Sequence, residues 1–365
     1  MQQAPVQSEN SRSAYPRILV VRLSAMGDVI HALPAVAALR QAFPSASIGW
    51  VIEERWAELL CTLPAARSGP RSPQRPLVDR IHTVNLKGWR RALLSIQTWE
   101  QMAAALSELR GSRYDIAVDF QGAARSALIA RWSGAQQVYG FSQPRENVAG
   151  MVYTRQVEAR GAHVVEQNLS LAAALAAGPL TWEPVKLPCD AAAEQECELR
   201  LRELGVQDFV LMNPGAGWGA KQWPSARYSE VAKRLAADGL KSLINFGPGE
   251  GDLARQVEEE SAGAARRIAC SLSQLVALTR RASLFIGGDT GPLHLAAALN
   301  VPVVGIYGPT NPARNGPFGT RSVVLRSLSS VTSHSRHAAP EEGLLEITPA
   351  QVIAASQKLL EQARD

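Results

Sequence analysis

Residues 17–42 read RILVVRLSAMGDVIHALPAVAALRQA, and this stretch decides the fold class. The β-branched run Arg17–Leu23 predicts a strand, and Gly27 falls in the turn that follows it. The apolar period from Val29 to Ala42 then predicts a helix whose first turns are kinked by Pro34. A strand that passes through a glycine turn into a helix is the first half of a parallel βαβ unit.

The same alternation continues in two series along the chain. A loop with four prolines and three arginines, residues 64–76, interrupts the first series, and the second follows the proline-containing stretch 180–188. The further predicted strands are Ile48–Ile52, Ile116–Phe120, Val138–Gly140, Phe209–Asn213, Ser242–Phe246, Leu284–Gly287 and Val303–Tyr307. The predicted helices are Ile96–Leu109, Ala226–Ala237, Leu253–Ser261, Leu272–Arg281, Pro292–Leu299 and Pro349–Arg364.

This organisation predicts an α/β protein with two facing Rossmann-like domains on parallel sheets. We expect a disordered tail over residues 1–15, an N-terminal domain over 16–184, a C-terminal domain over 185–345 and a final helix over 346–365. The Ser- and His-rich stretch Ser327–Pro340 is read as a loop. Ligands of two such domains bind between them, at the carboxyl ends of the strands.

The composition is that of an ordinary globular protein, with 365 residues, 46% hydrophobic and 19% charged. No apolar stretch reaches the roughly 18–20 residues that a membrane-spanning helix needs, and the first fourteen residues lack the apolar core of an export signal. We therefore expect a cytoplasmic location. The net charge of +5 favours anionic partners. The four cysteines lack metal-binding spacing, so no metal site is expected; they are Cys61, Cys189, Cys197 and Cys270.

Asp28 is the first candidate site residue, because it stands where the first strand passes into its helix and faces the predicted cleft. An aspartate at a helix N-terminus is also a common capping residue, so both interpretations stay open here. His31 follows on the same helical face, and a lone histidine of this kind is more often a packing or hydrogen-bonding group than a catalyst.

The second candidate is the stretch GGDTGPLH, residues 287–294. Two glycines, the polar pair Asp289 and Thr290, and a first-turn proline open a helix whose free backbone N–H groups and dipole favour an anion. Gly291 belongs to the same turn, and His294 lies one turn further on, where it could donate to a phosphate. The alternative is a well-capped structural helix.

The third candidate is NPGAGWGAKQWP, residues 213–224. It contains a formal GxGxxA that begins at Gly215, but Pro224 starts the helix too late for a dinucleotide fingerprint. We favour a phosphate-holding loop with Lys221 as counter-ion over an exposed lysine. Glu250, after the next strand, could accept hydrogen bonds from ribose hydroxyls, or could be a solvated residue at a helix start.

A basic cluster in the first domain, residues 87–91 (KGWRR), forms the fourth candidate, with Arg125, Arg131 and Arg145 further along. The chain contains no nucleic-acid-binding module, so nucleic acid is not an expected partner. A phosphorylated acceptor or an anionic membrane surface fits this cluster better, and a solvated basic face is the plainer alternative.

Taken together, these residues resemble glycosyltransferase family 9, the bacterial lipopolysaccharide heptosyltransferases. The resemblance covers the chain from Arg17 to about Gly319. It is carried by RLSAMGDVIHALPA, YDIAVDFQGAARSALIARWSG, PRENVAGMVY, NPGAGWGAKQWP, GGDTGPLHLAAAL and GIYGPTNP. The combination of WVIEE, KGWRR and PRE is most similar to the heptosyltransferase I branch, which adds the first heptose to Kdo on lipid A. The Cys-rich segment of many heptosyltransferase II-like members is absent, and the 64–76 insertion has no clear counterpart.

The resemblance implies the GT-B fold, with the acceptor in the N-terminal domain and ADP-heptose as donor substrate in the C-terminal domain. It implies Asp28 as the catalytic base and Lys221 at the donor phosphates. Asp289, Thr290, Gly291 and His294 match the loop for diphosphate and heptose, with Glu250 at the nucleoside and Gly215 in the donor loop. Lys87, Arg90, Arg91 and Arg131 would then meet the acidic Kdo and phosphates of a Kdo-lipid A acceptor.

The expected reaction is an inverting transfer that needs no metal or other cofactor. It would take place on the cytoplasmic face of the inner membrane, with the enzyme bound peripherally. Within the transferase class, the alternative is another core or surface glycan as acceptor. Outside that class, a nucleotide-sugar epimerase and a non-catalytic nucleotide-sugar binder stay open, and the binder would have no need of Asp28.

Overall fold

The computed structural model describes residues 15–333 and 339–362. Residues 1–14, 334–338 and 363–365 lie outside this part, and with them almost all of the expected tail, part of the Ser/His-rich loop and the last residues of the chain. None of the helices described is long and apolar enough to cross a membrane.

The first domain is built on one six-stranded parallel sheet. Its strands lie side by side in the order β3-β2-β1-β4-β5-β6. They are β1 (Arg17–Val21), β2 (Ser47–Glu53), β3 (Arg80–Val84), β4 (Ile116–Asp119), β5 (Gln137–Phe141) and β6 (Arg155–Val157). The helices are α1 (Met26–Ala42), α2 (Leu86–Arg91), α3 (Ile96–Gly111), α4 (Ala124–Trp132), α5 (Asn147–Gly150) and α6 (Val164–Ala176).

The second domain repeats this topology, with its strands in the order β12-β11-β10-β7-β8-β9. The strands are β7 (Phe209–Asn213), β8 (Lys241–Asn245), β9 (Ala265–Ile268), β10 (Leu284–Gly288), β11 (Val303–Tyr307) and β12 (Ser322–Arg326). The helices are α7 (Ala191–Glu203), α8 (Ser225–Ala237), α9 (Gly251–Glu260), α10 (Leu272–Arg281), α11 (Gly291–Ala298), α12 (Pro312–Asn315), α13 (Glu342–Glu346) and α14 (Pro349–Glu361). The prediction of two Rossmann-like domains with parallel sheets is confirmed.

Both sheets reverse their strand order beside the first strand of the domain, and such a reversal opens a crevice at the carboxyl ends of the strands. In the first domain the reversal lies between β1 and β4, and in the second between β7 and β10. The loops that leave β1, β7 and β10 carry the candidate residues. The topology therefore gathers Asp28, Lys221 and Asp289 at the two crevices.

The first helix differs from its prediction at the N-terminus. It begins at Met26 rather than Val29, because the carboxylate of Asp28 accepts the backbone N–H of Ala25 and satisfies a donor of the first turn. The helix continues through Pro34 to Ala42.

The two domains share a continuous apolar core through α1 and α11. Ile30 and Leu33 of α1 belong to the same buried cluster as Leu293 of α11. The contact is close because two glycines face the opposite helix. A Cβ on Gly27 would lie 2.7 Å from Cδ2 of His294, and one on Gly291 would lie 2.6 Å from Sδ of Met26. Only glycine lets these two helix N-termini approach so closely.

A second contact between the domains lies at the start of α10. The carboxylate of Glu58, in a short 3-10 helix of the first domain, accepts the backbone N–H of Ser273 at 3.1 Å and its hydroxyl at 2.7 Å. Glu58 thus satisfies a first-turn donor of a helix that belongs to the other domain.

The last helix packs on the second domain. Val352, Ala355 and Leu359 of α14 are buried in the same cluster as Val210 of β7. The indole of Trp223 donates to the backbone carbonyl of Ile347 just before this helix, at 3.0 Å.

Candidate active site

Asp28 lies in the first turn of α1 with both carboxylate oxygens engaged. Oδ2 accepts the Ala25 N–H at 3.1 Å, and Oδ1 pairs with Nη2 of Arg22 at 2.7 Å. Its side chain is still 40% exposed, so a bound molecule can reach it. Each oxygen keeps a lone pair beyond these contacts. Asp28 therefore caps its helix and also remains accessible for chemistry, so the two interpretations are compatible.

Arg22 is a site residue that the sequence analysis missed. It is buried, donates to the carbonyl of Phe120, and holds Asp28 through its second amino group. The backbone carbonyl of Arg22 in turn accepts the Trp50 indole N–H at 2.9 Å. Arg22 falls within the predicted strand Arg17–Leu23 and was therefore read as an ordinary strand residue. The available signal was its place in an apolar run, because a buried arginine needs a fixed partner.

Asp289 is the centre of a charged network at the end of β10. Its Oδ2 lies 2.6 Å from Nζ of Lys221, and its Oδ1 lies 3.0 Å from Nε2 of His294. Burial raises the pKa of the Asp289 carboxyl, but the hydrogen bonds and charges of His294 and Lys221 outweigh it and hold that pKa well below its ordinary value. Asp289 is thus a permanent anion that orients both neighbours.

Lys221 is mostly enclosed rather than exposed, with 14% of its side chain accessible. It ends a short 3-10 helix, Gly219–Lys221, and its ammonium lies 5.2 Å from the centre of the Trp218 ring. An ammonium group has three donors, of which one meets the Asp289 carboxylate at 2.6 Å and a second meets the Asp289 backbone carbonyl at 3.4 Å. Lys221 can therefore serve a second anion without leaving Asp289.

Thr290 is the N-cap of α11, yet its hydroxyl makes no cap hydrogen bond. Its Oγ1 is buried and has no hydrogen-bond partner among the described residues. A buried hydroxyl without a partner is unfavourable, and the first-turn N–H groups beside it belong to a helix N-terminus that favours negative charge. These groups fit an anionic ligand such as a diphosphate.

Gly215 and Glu250 lie in direct contact across two neighbouring strand ends. A Cβ on Gly215 would lie 2.1 Å from Cδ of Glu250, so only glycine leaves room for that carboxylate. Glu250 Oε2 accepts the Gly247 N–H at 2.7 Å. Behind them, Asn245 donates to Asn213 Oδ1 at 2.7 Å and fixes the start of the 213–224 loop.

Three buried histidines meet where the domains touch. Nε2 of His31 lies 3.1 Å from Nδ1 of His294, and the His163 ring centroid lies 5.5 Å from that of His31. Burial and the neighbouring His294 and His163 rings hold the pKa of His31 well below its ordinary value. Burial likewise lowers the pKa of His163, whose Nε2 lies 3.1 Å from the Gly316 carbonyl oxygen. His31 is thus a neutral hydrogen-bonding group, and it joins the first domain to the Asp289 network.

The basic residues of the first domain separate into two places. Lys87, Arg90 and Arg91 are exposed on α2. This helix follows β3 and therefore starts at the carboxyl ends of the strands, as the loop with Asp28 does. Arg131 is in the last turn of α4, the end of that helix remote from the cleft. Its neighbour Trp132 accepts from Arg110 at the C-terminus of α3. The structure therefore does not bring Arg131 together with the other three.

Two other basic residues lie nearer the cleft. Arg125 is exposed in the first turn of α4. Arg145 follows β5, and its backbone nitrogen packs closely on Gly122, where a Cβ would lie only 3.0 Å away from it.

Within residues 15–333 and 339–362, no group of three or more histidine, cysteine or acidic side chains is arranged to hold a metal ion.

The Pseudomonas aeruginosa lipopolysaccharide heptosyltransferase 1 is similar to this chain. It is 33% identical over 318 residues, which cover 85% of this chain and 84% of that protein. The lipopolysaccharide heptosyltransferase 3 of Escherichia coli K12 is 26% identical over 92% of this chain and 95% of that protein.

A solved enzyme, the E. coli heptosyltransferase WaaC, is similar in structure. Its complex with ADP gives a TM-score of 0.74 at 26% identity and covers 94% of this chain and 99% of that one. Its complex with ADP-2-deoxy-2-fluoro heptose gives 0.72 at 25% identity, with 95% and 99% covered.

A family model described as glycosyltransferase family 9 (heptosyltransferase) matches residues 102–344, well over half of the chain. Together with a relative one-third identical over most of its length, this match establishes the family that the motifs indicated. The chain belongs to glycosyltransferase family 9, the heptosyltransferase family, and is a glycosyltransferase.

Proposed function

We propose that this enzyme transfers heptose from ADP-L-glycero-D-manno-heptose to Kdo of the lipopolysaccharide inner core, with inversion at the anomeric carbon. One observation carries the proposal. Gly27, the residue before Asp28, packs against His294, so the candidate base lies beside the anion-favouring N-terminus of α11. A base on one domain and a diphosphate site on the other then face a single reacting centre.

Binding of the donor substrate is supported by groups near α11 that can make further hydrogen bonds. Lys221 keeps one ammonium donor beyond its two contacts with Asp289, Thr290 has a hydroxyl without a partner among the described residues, and the backbone N–H of Gly291 opens α11. Negative charge grows on the departing diphosphate as the sugar acquires oxocarbenium character. These fixed donors would stabilise that charge without a metal, each contributing about 2.7–4 kcal/mol, as is typical of preorganised donors.

Asp28 is the base in this scheme. The acceptor hydroxyl oxygen attacks the anomeric carbon, the bond from that carbon to the diphosphate oxygen breaks on the opposite face, and the hydroxyl proton passes to Asp28. Arg22 and the Ala25 N–H keep the carboxylate in one orientation. The products are the glycosylated acceptor and ADP.

The identity of donor and acceptor is supported by the relatives. The WaaC structures contain ADP and an ADP-heptose analogue, which supports ADP-heptose as donor here. The higher identity to a heptosyltransferase 1 than to a heptosyltransferase 3, 33% against 26%, supports Kdo as acceptor. The second match keeps another core glycan as the alternative acceptor. Because Kdo is carried on lipid A, we place the enzyme on the cytoplasmic face of the inner membrane.

The test is ADP release from ADP-heptose, with and without Kdo2-lipid A, by the wild-type enzyme and Asp28→Ala. We expect release that depends on the acceptor and falls by about 10²–10⁴-fold in the variant, with ADP affinity nearly kept. Thermal unfolding of both proteins controls for misfolding. Near-normal turnover by the variant would reject the base. Donor binding without stimulation by this acceptor would reject Kdo-lipid A and favour another glycan.

A further inference from the structure

The connection between α2 and α3, together with the first turn of α3, exposes large apolar side chains in a cluster, which we call the apolar hairpin. It consists of Leu93, Leu94, Ile96 and Trp99, which are 50%, 102%, 77% and 58% exposed. Single exposed apolar residues are ordinary on a protein surface, but four within seven positions form a contiguous patch of the kind that marks an interaction site.

The apolar hairpin has a defined shape that presents these side chains outward. The Trp99 indole donates to the Leu93 carbonyl at 2.9 Å, and the Thr98 N–H bonds to the Ser95 carbonyl at 3.1 Å. Thr98 itself is buried and faces the domain. The apolar residues are therefore held at the surface by hydrogen bonds that fold the segment back on itself.

Positive charge lies directly beside the apolar hairpin. Lys87, Arg90 and Arg91 are exposed on α2, and residues 86–99 contain no aspartate or glutamate. Long basic side chains next to leucine and tryptophan match the boundary of an anionic bilayer, where tails accept apolar groups and phosphates accept cations. This complementarity favours a lipid surface over an apolar protein groove.

The apolar hairpin also lies at the edge that such a surface needs. It follows β3, so it stands at the carboxyl edge of the first sheet, where the loop after β1 holds Asp28. We propose that the apolar hairpin inserts into the interface of an anionic lipid bilayer and turns the mouth of the cleft toward lipid-borne acceptors. This deepens the proposed function and rests on its acceptor being carried on a lipid.

The experiment measures sedimentation of the full chain with vesicles of phosphatidylethanolamine and phosphatidylglycerol, against phosphatidylcholine alone, over a salt series. We expect binding to the anionic vesicles that weakens with salt, since each basic residue near the surface contributes about fivefold. The double variant Leu94→Ser with Ile96→Ser should bind about a hundredfold more weakly, because each large apolar side chain contributes on the order of tenfold.

The matched control is Leu199→Ser on α7 of the second domain, a leucine that is 50% exposed and far along the chain from the hairpin. It should bind like the wild type. Absence of wild-type binding at low salt, or equal binding by the double variant and the wild type, overturns the proposal.

A second readout separates this proposal from the reaction itself. ADP release with an acceptor stripped of its acyl chains should be the same for wild type and the double variant, because the cleft is unchanged. If that release is absent while vesicle binding behaves as described, the proposed acceptor fails and the docking surface stands. If release is normal and vesicle binding is absent, the docking surface alone fails.

Discussion

The two helix N-termini that meet at the cleft, those of α1 and α11, are built alike but completed differently. At α1 the side chain of Asp28 accepts the Ala25 N–H and is paired with Arg22. At α11 the Thr290 hydroxyl has no partner among the described residues, and the nearby carboxylate of Asp289 turns to Lys221 and His294 instead.

This difference separates two tasks. In the first turn of α1, the Asp28 carboxylate accepts a backbone N–H, so an added anion would meet a negative charge there. The α11 turn leaves donors open, so an anion would complete it. In the proposed function, the same strand–loop–helix unit supplies a proton acceptor in one domain and a charge stabiliser in the other, and the following variants test that division.

Lys221→Ala should give the largest effect on the α11 side. It removes the cation proposed to meet the diphosphate and leaves the Asp289 carboxylate without one of its two partners. We expect kcat/KM to fall about 10²–10³-fold and ADP affinity to fall with it. Steady-state kinetics and ADP titration calorimetry measure both. Lys233→Ala, on the exposed face of α8, is the control and should behave like the wild type. An unchanged ADP affinity would remove Lys221 from the donor site.

Thr290→Val should separate binding from stability. The hydroxyl has no partner to lose among the described residues of the free protein, so the thermal unfolding midpoint should stay level or rise slightly. ADP affinity should fall about 10- to 100-fold, since a hydrogen bond to a charged group contributes about 1.5–3 kcal/mol. Thr290→Ser keeps the hydroxyl and should bind ADP as the wild type does. Weaker ADP binding by the serine variant as well would point to lost packing of the Thr290 methyl group rather than to a lost hydrogen bond between the hydroxyl and ADP.

His31→Gln tests the contact between the two N-termini through pH, with a smaller effect. His31 faces His294, His163, Asp289 and Arg22, and burial with those rings lowers its pKa. Below about pH 6.5, His31 therefore takes up a proton in the unfolded chain but stays neutral in the folded chain. The free energy of unfolding consequently falls as pH falls through that range.

The slope contributed by His31 approaches about 1.4 kcal/mol per pH unit below pH 6.5. Urea unfolding of wild type and His31→Gln between about pH 7.5 and 5 should show a shallower dependence in the variant, with the part due to His163 retained. Parallel curves for the two proteins would show that His31 is protonated as easily in the folded state as in the unfolded chain.

The sequence predicted the strands that are buried on both faces and missed those whose residues are more polar. Phe209–Asn213 and Val303–Tyr307 were predicted to the residue, because fully buried parallel strands read as continuous apolar runs. β3, β6, β9 and β12 were missed. These are the four edge strands of the two sheets, with sequences such as RQV and ARRI that carry exposed arginines.

The candidate site divides in the same way. Asp28, Asp289 and Thr290 could be found because a glycine turn at a helix start is a local pattern. Arg22 and His163 could not, because their roles depend on partners far away in sequence. Arg22 bonds to Phe120, 98 positions on, and His163 contacts Gly316, 153 positions on. Placement of Arg131 depends on the length of α4, which the sequence analysis did not define.

The Glu58 carboxylate that caps α10 has a mechanical consequence. It fixes the two domains at a point separate from the glycine contact between α1 and α11. The apolar contact between α1 and α11, the His163–Gly316 contact and the Glu58 cap hold the domains together, so a movement that separates the domains must break at least one of them. Glu58 makes its two hydrogen bonds through one carboxylate oxygen, so the loss of that single side chain would remove the whole cap and make such a movement easier.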